Sequence, residues 1–366
     1  MRKILRSCFA NKLLTSLAAM ILACGCGHKA ADTQSSALFS ITETGSGYKI
    51  LVFGTDGSSM DSIAVDKSLN RIVCMSSSYV AYLSDLGCDS VICGISGTRY
   101  ISAPGVRKRI SDGLISEVGQ DAMPDYERIA ALAPDIVVSY SVPGSDFTKQ
   151  LHKLGINVLT LNDYLENNPV GRASYIRIFG ALTGRMDMAD SILAAVSSRY
   201  RALAEDVRSR LRSDSLADPA RFHGRPGVLM NIPYADAWYI PGGSNYMTHL
   251  VNDAGARMIG AEPGRSESSV ISIEQAVIYS QEASFWLNTG WCSSRQELYS
   301  INPVFRSMDI PHIYNNTRRT NAGGGNDFWE SGAARPDIIL HDLVKIFHPE
   351  VATSDTCGLY YYKEVL

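Results

Sequence analysis

Asp327 and Glu330, in the run Asp327-Phe328-Trp329-Glu330, have the spacing that first invites chemistry in this chain: two acids flanking a sugar-like substrate could hydrolyse a glycosidic bond. That reaction needs a paired acid from elsewhere in the fold, and none is signalled; carboxylates this close on one segment more often cap a helix or hold a loop. The hydroxyls of Ser76-Ser77-Ser78 lack a GxSxG elbow and a histidine placed to activate them. At a helix start they would suit a bound anion instead. The seven histidines, His28, His152, His223, His249, His312, His341 and His348, are dispersed with no pair at helical ligand spacing, so no metal site is assigned. Cysteines 26, 74, 88, 93, 292 and 357 form no CxxC pair, which signals neither a zinc site nor a disulfide framework. Cys74 and Cys93 sit inside apolar runs and read as buried core thiols. The residues therefore point to binding rather than to an enzyme.

The elements that would position a binding site come from an internal repeat. The stretch Asp125-Tyr126-Glu127-Arg128-Ile129, Pro134-Asp135, Ile136-Val137-Val138-Ser139-Tyr140 lies without a gap over Ser272-Ile273-Glu274-Gln275-Ala276, Gln281-Glu282, Ala283-Ser284-Phe285-Trp286-Leu287. Each has a cap residue, a Glu two places later, a helix of about two turns and a buried strand. A further apolar run follows each strand, Gly155 to Leu159 in one and Ile310 to Tyr314 in the other. Strand, helix and strand in that order predict parallel sheets with crossover helices, hence an α/β fold of two Rossmann-like lobes, each a mainly parallel sheet with flanking helices. Between them Asn168-Pro169 opens a helix carrying Ile176, Phe179 and Leu182, and Gly184 interrupts it. The pattern resumes from Asp187 to about Leu211 with Ala189, Ile192, Leu193, Val196, Tyr200, Leu203 and Val207, a single helix of roughly 37 Å that would join the lobes rigidly. The expected divisions are a leader (1–23), a tether (24–36), an N-terminal lobe (37–167), a helical segment (168–211), a C-terminal lobe (222–350) and a tail (351–366).

Open α/β sheets bind ligands outside the carboxyl ends of their strands. That rule selects Ser77, Ser78, Tyr79, Arg99, Tyr100 and Tyr140 in the first lobe, and Tyr234, Trp238, Tyr239, Tyr246, Trp291 and Arg318 in the second. Wide aromatic faces with polar tips suit a large, flat, partly apolar ligand, and Arg99 and Arg318 could meet carboxylates or an anionic chelate. A net charge of −3, from 34 basic and 37 acidic residues well mixed along the chain, gives no basic stripe for a phosphate backbone, so no nucleic-acid partner is expected.

At the N-terminus, Arg2, Lys3, Arg6 and Lys12 precede an apolar run from Leu13 to Leu22, the make-up of a signal peptide too short to span a bilayer. Ile21-Leu22-Ala23-Cys24 resembles the bacterial lipobox, with Ile21 where Leu is usual, which implies a lipid on Cys24 and work done outside the cytoplasm. Gly27 to Ser36 is small and polar, as a flexible tether requires.

Two lobes joined by one helix, exported and anchored, resemble the ABC-importer binding proteins for iron complexes and cobalamin. The runs that carry the resemblance are Arg71 to Met75, Glu117-Val118-Gly119, Tyr126 to Val138 and Leu154 to Val158. Asn231 to Asp236, Asn315-Asn316 with Arg318-Arg319, and Gly324 to Gly332 resemble a Bacteroides-type lipoprotein branch. The likeness covers roughly residues 65 to 350. It implies a ferric siderophore, haem or cobalamin as ligand rather than as resident cofactor, a periplasmic monomer, and an ABC permease dimer with its ATPase as partner. Glu127 and Glu274 match the acidic residues with which the family docks into permease arginines. The alternative is a stand-alone binding lipoprotein that passes its ligand to an outer-membrane receptor.

Overall fold

Ile72–Cys74 is buried at every position, the pattern of a strand covered on both faces. It lies at the centre of a sheet ordered Val158–Leu161, Ile136–Tyr140, Ile72–Cys74, Ile92–Ile95, Ser116–Glu117, in which every neighbouring pair is parallel. A second sheet is ordered Arg257–Met258, Gly227–Met230, Ala283–Leu287, His312–Asn315, Lys363–Glu364, and only its last pairing is antiparallel. The computed structural model from which this is read describes residues 38–120, 123–142, 144–217, 224–234, 237–349 and 358–366. The expected signal peptide, the expected lipid site Cys24 and the expected tether lie outside the described residues.

The two stretches that overlay in sequence occupy equivalent places. Ile136–Tyr140 and Ala283–Leu287 each run between the opening strand of their sheet and the strand that follows them in the chain. The helices before them, Tyr126–Ala131 and Ile273–Ser280, are capped as the sequence predicts: Asp125 accepts from Arg128 N at 2.9 Å and Ser272 from Gln275 N at 3.2 Å. Two α/β lobes with mainly parallel sheets are thus the observed fold.

Asn168 caps the helical segment, accepting from Val170 N and Gly171 N, but the helix divides into Pro169–Ala173 and Ile176–Thr183. Gly184 ends it at φ 68°, where a Cβ would stand 2.3 Å from Ser68 Oγ. The linking helix is longer than predicted, Met186–Ala217, or about 48 Å at the standard rise. Its buried stripe, Ala189, Leu193, Val196, Tyr200, Ala204 and Val207, packs on Ile176–Thr183 at one end and on Pro336–Phe347 at the other. Arg199 Nε, 2.7 Å from the buried Asp337 Oδ2, and Tyr200 Oη, donating to Asp253 Oδ2 at 2.7 Å, fix it to the second lobe.

Two elements were not foreseen. Residues 39–65 form an antiparallel meander, Phe39–Glu43, Tyr48–Phe53 and Ser59–Val65, ahead of the first lobe. Asp61 Oδ2 accepts from Thr160 N at 2.7 Å, so the meander satisfies a backbone donor on the edge strand Val158–Leu161. Within the segment read as a tail, Lys363–Glu364 supplies the outer strand of the second sheet. A single apolar core then runs through both lobes and the linking helix, taking in Ile72, Val138, Phe179, Leu193, Val228, Leu250 and Leu343.

Candidate functional site

A helix that precedes a parallel strand runs antiparallel to it, so its N-terminus stands at the carboxyl edge of the sheet. Glu127 and Glu274, both exposed, therefore lie at the same edges as the loops expected to bind ligand. The Ser272 hydroxyl and the helix N-terminus hold the Glu274 carboxyl below its ordinary range. Beside it is a depression of about 360 Å³ lined by Pro233, Ile273, Ile301 and Phe305 among others. A larger concavity, about 480 Å³, lies against the linking helix between Tyr200 and Asp253, on elements that carry none of the strand-end loops.

In the second lobe the strand-end loops follow the order of the sheet: Asn231–Tyr234, then Asn288–Trp291, then Asn316–Arg318. The first two touch, since a Cβ on Gly290 would stand 3.0 Å from Ile232 Cδ1. Tyr234, Tyr239 and Trp291 are 82%, 44% and 63% exposed, and Arg318 is exposed too. In the first lobe Arg99 is exposed and its guanidinium lies 4.5 Å from the Tyr100 ring centroid; Ser77, Tyr100 and Tyr140 are half-buried. Tyr140 meets Tyr164 edge-on at 6.2 Å.

Four of the expected contacts lie in packing positions. Tyr79 is fully buried and donates its hydroxyl to Ser139 O at 3.2 Å, and Ser78 is buried with its Oγ 2.9 Å from Ser76 Oγ in the helix cap. Trp238 stacks on Trp286 at 5.7 Å and gives its indole N–H to Met230 O. Tyr246, buried at the first turn of Tyr246–Asp253, lies under the Arg172 guanidinium at 5.3 Å, and burial pushes its hydroxyl up to about 12. Strand alternation explains one choice: in Trp238–Ile240 the middle residue, Tyr239, faces out and its neighbours face in. Cys74 and Cys93 are core thiols, each raised by burial.

The periplasmic binding protein family matches residues 72–300, more than half of the chain. This chain belongs to that family. It is 24% identical over 301 residues to an uncharacterised lipoprotein of Methanocaldococcus jannaschii, covering 78% of this chain and 67% of that one. It is also 24% identical over 249 residues to an uncharacterised ABC transporter substrate-binding lipoprotein of Bacillus subtilis, covering 67% and 70%. Its fold is similar to that of a periplasmic heme binding protein from Pseudomonas aeruginosa, with a TM-score of 0.58, 20% identity, and coverage of 81% and 98%. The family is one of solute-binding transport proteins rather than of enzymes.

How this binding protein holds its lobes together depends on residues outside the expected ligand contacts. Glu117 accepts from Gly97 N, Thr98 N and Thr98 Oγ1 at 2.9, 2.7 and 2.7 Å, which sets the loop carrying Arg99 and Tyr100. From the second lobe, Asn321 Nδ2 donates to Ile101 O at 2.8 Å. Gly323 and Gly325 lie so close that a Cβ on either would stand 2.1 Å from Arg99 O or 1.8 Å from Tyr100 O. Asp327 is paired with Arg319 at 2.6 Å, and Glu330 accepts across the seam from Ser102 N and Ala103 N at 2.6 and 2.9 Å. Both carboxylates hold loops, as the sequence suggested.

Burial pushes the Glu330 carboxyl from its ordinary 4.5 up to about 7, the two N–H groups pulling the other way and Asp327 adding to the rise. Over that window the native state keeps a proton that the unfolded chain has lost, so stability is highest below it and falls as pH rises through it. At about 1.4 kcal/mol per unit the loss reaches roughly 3 kcal/mol above pH 7. Glu330→Gln, which cannot titrate, is expected to flatten the urea-midpoint profile between about pH 5 and 8; an unchanged slope would refute the assignment.

Proposed function

We propose that this protein is the solute-binding lipoprotein of an ABC importer, anchored through Cys24, which captures a metal chelate between its lobes and delivers it to the permease. An iron complex of siderophore or haem type is the leading class, with cobalamin as the alternative chelate. The observation that carries the reading is the set of exposed side chains at the carboxyl edges: Tyr234, Tyr239 and Trp291 in the second lobe and Arg99 in the first, with Arg318 on the third loop of the second. Aromatic rings left in water at a strand-end cleft offer stacking area to a flat ligand, and the two guanidiniums offer charge to an anionic one. The heme-binding function of the Pseudomonas aeruginosa protein of similar fold supports the same class. Glu127 and Glu274 are the proposed permease contacts, and their shared placement at the two carboxyl edges supports it.

Tryptophan fluorescence provides the test. Trp291 is among the two most exposed indoles of the described residues, so titration with haemin, a panel of ferric siderophores and cyanocobalamin is expected to quench emission saturably for one class. Trp291→Ala is expected to weaken that binding about 10-fold or more, in line with loss of an aromatic anchor worth about 2 kcal/mol. Absence of saturable quenching by every chelate would refute the reading.

A further inference from the structure

Two kinds of energetic cost gather at one edge of the second sheet. Asn231 and Asn288 are two of the three non-glycine residues at positive φ among the described residues, at 67° and 60°. They are register neighbours: Asn231 N donates to Leu287 O at 2.9 Å and Asn288 N to Tyr314 O at 3.0 Å, so Asn231, Asn288 and Asn315 form a row across three strand ends. Along the same edge, Asn288 Oδ1, Thr289 Oγ1, Asn315 Oδ1 and Thr317 Oγ1 are buried and find no hydrogen-bond partner among the described residues. Thr289 and Asn315 are 0% exposed. A fold keeps strain and unsatisfied polar groups together only where something other than stability maintains them.

From this edge we infer a polar socket for the bound chelate, which takes a ligand group bearing N–H or O–H donors, an amide or a hydroxyl. It rests on the proposed chelate-binding function and narrows the ligand. Asn315 Nδ2 is committed to Cys292 O at 2.9 Å, which leaves Oδ1 as an acceptor only, while the Thr289 and Thr317 hydroxyls can accept as well as donate. Lys363, opposite Asn315, directs its Nζ to Ser293 Oγ at 3.3 Å, and Arg295 gives its two terminal nitrogens to Ile310 O and Pro311 O. Cys292 O, which takes the Asn315 amide, belongs to the turn Gly290–Cys292, and that turn carries the exposed Trp291. A ligand that stacks on this indole presents its donors to the same edge of the sheet.

Thr289→Val and Thr317→Val, singly and together, remove unpartnered hydroxyls while keeping the side-chain shape. The ligand-free double variant is expected to melt at or above the wild-type temperature, because no internal hydrogen bond is lost. Its affinity for a donor-bearing chelate, cyanocobalamin or ferrioxamine, is expected to fall 10-fold or more, and its affinity for haemin, which presents carboxylates, less than 3-fold. A lower melting temperature without ligand, or donor-bearing chelates bound as tightly as by the wild type, would overturn the socket. If no chelate binds the wild-type protein, the functional reading fails and the socket with it; if a donor-bearing chelate binds the wild type and the double variant equally well, the socket alone fails.

Discussion

Replacing Glu127 and Glu274 together by arginine is expected to abolish uptake of the ligand by cells while the purified variant binds it with wild-type affinity. The separation of effects follows from where the two residues sit. Each is the second residue of a capped helix, exposed, with its cap bond made by another residue, Asp125 or Ser272. A carboxylate in a first helical turn stabilises the helix by only about 0.3 to 1 kcal/mol, so reversal costs the fold little. At an interface the same reversal places like charges against each other, and losing one desolvated charge pair costs about 2 to 5 kcal/mol, or roughly 30-fold to several thousand-fold in affinity. Single reversals are expected to leave partial uptake and Gln substitutions more still. Uptake by the double variant at the wild-type rate would exclude both residues as permease contacts.

The largest expected loss of stability is at Asp342. Its fully buried carboxylate accepts from Tyr360 N, Tyr361 N and Tyr362 N at 2.8, 2.6 and 3.1 Å, binding three consecutive backbone donors with one side chain. Those donors precede the outer strand Lys363–Glu364, and two of the rings they carry pack inward: Tyr361 and Tyr362 each meet Phe328 edge-on at 5.7 Å. Asp342→Ala leaves all three N–H groups without an acceptor and loosens the strand; the cost is about 3 to 5 kcal/mol, since each bond to a charged group contributes about 1.5 to 3 kcal/mol and part is recovered by water. Asp342→Asn, which keeps one acceptor oxygen, is expected to lose about half as much. Urea unfolding measures both, and faster proteolysis near residue 358 would locate the damage. A loss below about 1 kcal/mol for the alanine variant would mean that the clamp is not what holds the C-terminal strand.

What the sequence disclosed was local. Asp125 and Ser272 announce their helices because a cap acts within three residues, and Ile136–Tyr140 announces its strand because burial on both faces leaves an unbroken apolar run. The clamp of Asp342 on Tyr360 to Tyr362 joins residues far apart in the chain, and the two-residue strand it secures has no periodicity to detect. Glu330 reads as a loop-holding acid, but its partners, the amides of Ser102 and Ala103, belong to the other lobe. The aromatic residues show the same limit within the cleft. A strand-end rule selects Trp238 and Tyr239 alike, and only the facing of a short strand sends one into the core and the other into solvent. The asparagine row exists only once strand register is fixed, since Asn231, Asn288 and Asn315 have no common spacing in the chain.

The apolar core that passes unbroken from lobe to lobe along Met186–Ala217 has a consequence for traffic at the membrane. On the proposed function it makes the molecule a ruler: packing sets the span from Glu127 to Glu274, and that span is expected to change little with occupancy. Empty and loaded carriers are then expected to present the same grip and to compete for the proposed permease. Throughput should depend on how much of the carrier pool is charged with ligand as well as on how many copies the cell makes.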